Sequence, residues 1–112
     1  MKSYKQRTLD AQKDLIRRYE ENDPPPECPF WEIYWHLPEY SCTGCFMCLP
    51  EDEVGCQRFK SKIQAHSMGL FSKKQRLARA NFHRKVRKIL LKRPARYFTP
   101  SKWKYLDIPK EW

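Results

Sequence analysis

From Val54 to Leu106 the chain carries sixteen Lys and Arg and not one Asp or Glu. A segment of that kind cannot neutralise itself through internal salt bridges, so its partner is either the acidic remainder of the chain or a polyanion. Glycine is nearly missing as well. With Gly44, Gly55 and Gly69 as the full set, no glycine-rich loop can cradle a phosphate, and neither Gly-x-Ser-x-Gly nor His-Glu-x-x-His occurs. An enzyme is therefore not expected. Apolar runs are short, Ile89-Leu90-Leu91 being typical, against the roughly 20 residues of a membrane-spanning helix. Met1 to Glu21 mixes charges of both signs and has no apolar stretch followed by small residues, so a secretory signal is not expected either. The expected setting is reducing: nuclear or, alternatively, cytoplasmic.

What is present is segregated. The chain has 112 residues and a formal net charge of +10, with 40% apolar residues, which suits a single domain (1–112) with a modest core. Residues 1–53 hold six Lys/Arg against eleven Asp/Glu, so an acidic half is joined to a basic one. Solubility alone rarely needs such separation, and a polyanionic partner is favoured over internal pairing.

The hydrophobic pattern predicts a mainly α fold in four parts: an N-terminal helix (1–23), an aromatic and Cys-rich segment (27–56), a basic helical segment (57–94) and a wrapping tail (95–112). Ser3 and Gln6 have capping-box spacing, and Tyr4, Ala11, Leu15 and Tyr19 form one stripe up to a stop at Asn22-Asp23-Pro24. Pro24 to Pro26 fix an extended connector. Cys28 to Leu37 is a short buried helix or a strand; periodicity does not separate the two. Pro38 to Gly55 has loop composition. Gln57 to Met68 is expected to be helical, with Phe59 and Ile63 on one side and Gly69 as terminator. The strongest helix runs from an N-cap at Ser72 to Pro94, with Ala78, Phe82, Val86 and Ile89/Leu90 inward. Beyond it, Tyr97, Phe98, Trp103 and Tyr105 are expected to pack rather than to stack on bases.

Five cysteines, four of them between Cys42 and Cys56, suggest metal ligation rather than a disulfide framework in a reducing compartment. Cys42-Thr43-Gly44-Cys45 supplies two thiolates in one tight turn, half of a tetrahedral Zn²⁺ site. His36 and Cys56 flank the loop and complete a Cys3His set: His36, Cys42, Cys45 and Cys56. Cys48, Cys28 and His66 are the alternates. The run Cys42-x2-Cys45-x2-Cys48 also keeps an iron–sulfur cluster open, although the Cys-Pro of bacterial-type sites stands here at Cys28-Pro29, before the run. Zinc in a closed site would tie the long loop and contribute on the order of 10 kcal/mol to folding.

The basic helix offers Lys73, Lys74, Arg76, Arg84, Lys85, Arg87 and Lys88 for phosphate neutralisation, and the aromatic, Lys-bearing tail favours RNA or single strands over duplex DNA. His83 lies among these residues, where a surface position or a phosphate contact is expected. Lys73-Lys74-Gln75-Arg76 and Arg84-Lys85-Val86-Arg87-Lys88 also fit a nuclear-import receptor. A membrane partner is not expected. Two other classes remain: a zinc-containing component of a ribonucleoprotein such as a ribosomal protein, and an adaptor whose segment Phe30 to Trp35 docks on a host protein.

At Trp35-His36, Cys42-x2-Cys45 and Cys56 the chain resembles the small nuclear phosphoprotein of bocaparvoviruses and related accessory non-structural proteins of other parvoviruses. That family has a Trp-His pair, a Cys-x2-Cys a few residues later and a His after about ten more. Thr8-Leu9-Asp10 is also similar. His36, Cys42 and Cys45 match the motif, while Cys56 stands where the family has a His, a swap zinc tolerates. The Arg/Ser-rich N-terminal region of the family is absent, and the basic helix and aromatic tail have no counterpart in it. The likeness spans about a quarter of the chain. It implies a nuclear, non-enzymatic protein that supports viral replication and controls viral RNA processing through host factors.

Overall fold

A computed structural model describes residues 2–37 and 57–99, with the side chains of the second stretch from Ser61 onward. The first helix, α1 (Tyr4–Glu21), begins where Ser3 leaves the extended region and its hydroxyl accepts the Gln6 N–H at 3.1 Å. Only that half of the expected capping box forms, because the Gln6 side chain donates forward to Asp10 at 2.9 Å. Asn22 ends the helix in the left-handed conformation, φ 56°, which Asn tolerates better than most residues. Arg17 and Arg18 bridge to Asp14, and Arg17 also reaches Glu21, at helical i,i+3 and i,i+4 spacing. Each such exposed pair is worth a few tenths of a kcal/mol, about 0.3–0.5.

After the proline connector, with Pro25 buried, α2 (Pro29–Tyr34) settles the ambiguity of this segment in favour of a helix. Proline sits at the first position, where its missing N–H costs nothing. Phe30, Ile33 and Tyr34 turn inward at i, i+3 and i+4. The Tyr34 hydroxyl meets the Thr8 hydroxyl at 2.6 Å, and Thr8 in turn donates to the Tyr4 carbonyl, so the polar end of a buried ring is satisfied against α1.

α3 (Gln57–Ser67) terminates as expected at Gly69, whose φ of 71° suits glycine. The N–H groups of Gly69 and Leu70 reach back to the carbonyls of His66 and Ala65, the pairing of a Schellman motif. Three residues on, Ser72 and Gln75 form a complete reciprocal capping box and open α4 (Lys73–Leu91). A short 3-10 turn, Ala95–Tyr97, follows and delivers Phe98 into the core.

α1 and α4 lie antiparallel, and they close each other's ends. Arg76, in the first turn of α4, donates to the carbonyls of Tyr19 (2.7 Å) and Glu20 (3.3 Å). Lys5, in the first turn of α1, donates to the carbonyls of Leu91 (3.1 Å) and Arg93 (2.6 Å). Each helix leaves its last carbonyls without intrahelical partners, and a cation from the other helix meets both the orphan groups and the negative end of the dipole. Between these clasps lies the core: Leu9, Leu15, Ile16 and Tyr19 of α1, Phe82, Val86 and Leu90 of α4, and the inward face of α2.

The expected mainly α character holds, with no strand among the described residues. Two details of α4 differ from the pattern. Ala78 is exposed and Ala80 takes its place inside, and His83 is fully buried rather than on the surface. The inward stripe is Arg79, Phe82, His83, Val86 and Leu90, so apolar residues alone misplace its centre. The expected central loop and the tail from residue 100 lie outside the described residues.

Candidate nucleic-acid interface

With its inner stripe turned to α1, α4 presents the opposite face to solvent. Lys73, Lys74, Lys85, Lys88 and Lys92 are all exposed there, and no acid occurs in this helix to offset them. Of the seven cations expected to meet phosphate, Lys73, Lys74, Lys85 and Lys88 thus share this face. The three arginines have other duties. Arg76 caps α1, Arg84 forms an ion pair with Glu20 and a 2.6 Å bond to Asn81, and Arg87 approaches the Leu9 carbonyl at 3.5 Å. They line the seam between the helices, and part of the basic half is thereby matched by the acidic one.

Along that seam runs an open groove of about 870 Å³ with Ile16 among its walls. Sequence reasoning missed it because its N-terminal cations, Lys2 ahead of α1 and Lys13 and Arg17 on it, fall in the half whose net charge is negative. Carboxylates share the wall but are engaged. Lys2 donates to Asp10 at 2.8 Å, and this bond, with another from Gln6, holds the Asp10 carboxyl below the usual range. Burial alone would raise Asp14, yet hydrogen bonds from Arg18 and Arg17 outweigh it and hold that carboxyl down as well.

Behind the seam the interior is polar. The Tyr19 ring is sandwiched between His66 of α3 (centroids 4.8 Å apart) and His83 of α4 (5.8 Å). His83 is 0% exposed and His66 2%. Burial, reinforced by the Arg79 charge, pushes His83 down to about 3. His66 is lowered by burial and by Arg76, with Asp23 opposing, while its Nε2 lies 3.2 Å from the Asn22 side-chain oxygen. Both imidazoles are neutral at pH 7, and His83 cannot contact phosphate. The buried Arg79 packs its guanidinium 4.5 Å from the Phe82 ring centroid, one more cation of the basic half withdrawn from the surface.

Of the expected metal ligands, Cys42, Cys45, Cys56 and the alternate Cys48 lie outside the described residues. His36 is exposed just after α2, its Nε2 2.9 Å from the Tyr4 hydroxyl. His66 sits beside Tyr19, and His36 beside Tyr4; fifteen residues of helix at 1.5 Å each separate those tyrosines by about 22 Å. The two histidines therefore cannot serve one ion. Cys28 is half-buried ahead of α2 and shares a shallow groove with Ile63 and Gln64 of α3. Among the described residues no group of three or more potential ligands is gathered.

On α2, Trp31 and Trp35 are 39% and 58% exposed and stack on each other, centroids 5.8 Å apart. Their neighbour Glu32 is raised by a hydrogen bond with Glu27, so this end of the molecule is aromatic and acidic. No described helix is long and apolar enough to cross a membrane. Comparison with protein families, curated proteins and solved structures yields no match for this chain.

Proposed function

We propose that the protein is a non-enzymatic, viral-type accessory factor: a zinc-stabilised module that binds nucleic acid, RNA in preference, and acts in viral RNA processing and replication in the nucleus. The observation that carries this reading is the outer face of α4, four exposed lysines on one side of a helix without an acidic residue, with exposed Lys92 just past its end. Charge of this density on a rigid element attracts phosphate by releasing counterions. The same lysines would serve a nuclear-import receptor.

The zinc part rests on the cysteine spacing and on His36. With Nε2–H donated to the Tyr4 hydroxyl, the ring would present Nδ1 to the ion, the arrangement in which an outer partner fixes a ligating imidazole. His36, Cys42, Cys45 and Cys56 would hold the metal, whose role is structural. The test of function is titration of a single-stranded RNA oligonucleotide at 50–200 mM salt. Binding should fall steeply with salt and be lost in Lys74→Glu/Lys88→Glu; salt-independent binding would count against the proposal.

A second reading, an adaptor for a host protein, is favoured by the exposed Trp31–Trp35 stack. Acidic Glu27 and Glu32 beside it repel phosphate, so this surface suits a protein better than a nucleobase.

A further inference from the structure

We infer that the phosphate backbone runs in the groove between α1 and α4, with Lys13 of α1 a direct phosphate contact alongside Arg87 and Lys88; the inference rests on the proposed nucleic-acid binding. The seam carries more cations than carboxylates, and the carboxylates are already occupied. Asp10 is held by Lys2, Asp14 by Arg17 and Arg18, and Glu20 by Arg84. That leaves Lys13, Arg87 and Lys88, all lining the groove, without an ion-pair partner among the described residues. Arg87 has only its 3.5 Å approach to the Leu9 carbonyl. An unmatched cationic excess in a concave seam is worth more than the same charge on a convex face, because low-dielectric walls focus its field.

On α4 the groove's cations run from Arg84 to Lys88, a rise of about 6 Å, and Lys13 of α1 lines the same groove. Ile16 gives the groove an apolar wall, and the Glu20–Arg84 pair stands at one end, where a phosphate would compete with the Glu20 carboxylate for the guanidinium.

The test uses the full chain and a 12-nucleotide oligouridylate, followed by fluorescence anisotropy between 50 and 200 mM salt, with a thermal melt of each variant to confirm folding. Lys13→Glu and Lys88→Glu should each weaken binding and reduce the salt slope by about 0.7 to 1, and each should do so by more than Lys74→Glu on the outer face. Glu20→Gln releases Arg84 and should tighten binding with a steeper slope. If Lys74→Glu weakens binding and Lys13→Glu does not, the outer face binds the strand; the groove is then wrong and the nucleic-acid function stands. If the wild-type chain shows no salt-dependent binding, both fall.

Discussion

The Arg76 guanidinium donates to the Tyr19 carbonyl across 2.7 Å, joining residues 57 positions apart in the chain. It ties the first turn of one long helix to the last turn of the other, and Lys5 makes the mirror-image contact at the far end. Arg76→Ala should cost about 1–2 kcal/mol, the value of a charge-assisted bond to carbonyls reduced for partial exposure. Urea unfolding would register it as a lower midpoint with unchanged slope. Arg76→Lys should recover part of the loss, since one ammonium can meet the same carbonyls with less reach.

Acid should loosen the protein well before its carboxylates titrate. His83 and His66 are neutral and buried, with folded pKa values below the unfolded value of about 6.5. The unfolded chain then binds more protons, so stability is intact above pH 6.5 and is lost as pH falls, for His83 down to about 3. For His83 the slope approaches 1.4 kcal/mol per pH unit, and His66 adds to it in the same direction. Thermal melts at pH 7.5, 6.5, 5.5 and 4.5 should show a falling midpoint, and His83→Phe should flatten that fall. A midpoint constant from pH 7.5 to 4.5 would refute the buried neutral pair.

Elemental analysis of the purified chain should find one zinc per molecule, and chelation should lower the melting temperature. Cys42→Ser should abolish stoichiometric zinc. Tyr4→Phe removes only the outer hydrogen bond to His36 and should weaken zinc affinity about 10- to 100-fold. Iron in place of zinc would select the cluster alternative; absence of metal would remove the proposed tie of the central loop.

Trp31→Ala/Trp35→Ala should cost about 1–2 kcal/mol, because Trp35 is 58% exposed while Trp31, at 39%, gives up a partly covered ring and the stack between them. If the α2 surface docks a host protein, the double variant loses that partner while Lys74→Glu/Lys88→Glu retains it. Pull-down with both variants separates the adaptor from the nucleic-acid module.

Much of the framework is legible in the residues. Ser3, Ser72 with Gln75, Asn22 and Gly69 mark helix ends through chemistry confined to a few neighbouring positions, and the structure places each boundary at or beside them. The side chains that fill the interior are less legible. Gln12 and Thr8 continue the Leu15–Tyr19 stripe one and two turns earlier, and Arg79 and His83 interleave with Phe82 and Val86. A count of apolar residues passes over polar ones at the same helical spacing, and their burial depends on partners from other elements, such as Tyr34 for Thr8. The groove was hidden for a related reason. Its cations come from two segments of opposite net charge, and only the antiparallel pairing brings Lys13 and Lys88 to one wall.

That pairing has a consequence for biosynthesis. Lys5 rests on the carbonyls of Leu91 and Arg93, so this clasp joins α1 to the end of α4 across more than eighty intervening positions. A ribosome releases the N-terminal helix long before its mate, and at 5–20 residues per second the interval is roughly four to fifteen seconds. During that wait the amphipathic stripe of α1 is uncovered, and closure of so distant a contact is slow in any case. Until α4 has emerged, Leu15, Ile16 and Tyr19 have only a local neighbour such as α2 to shelter them.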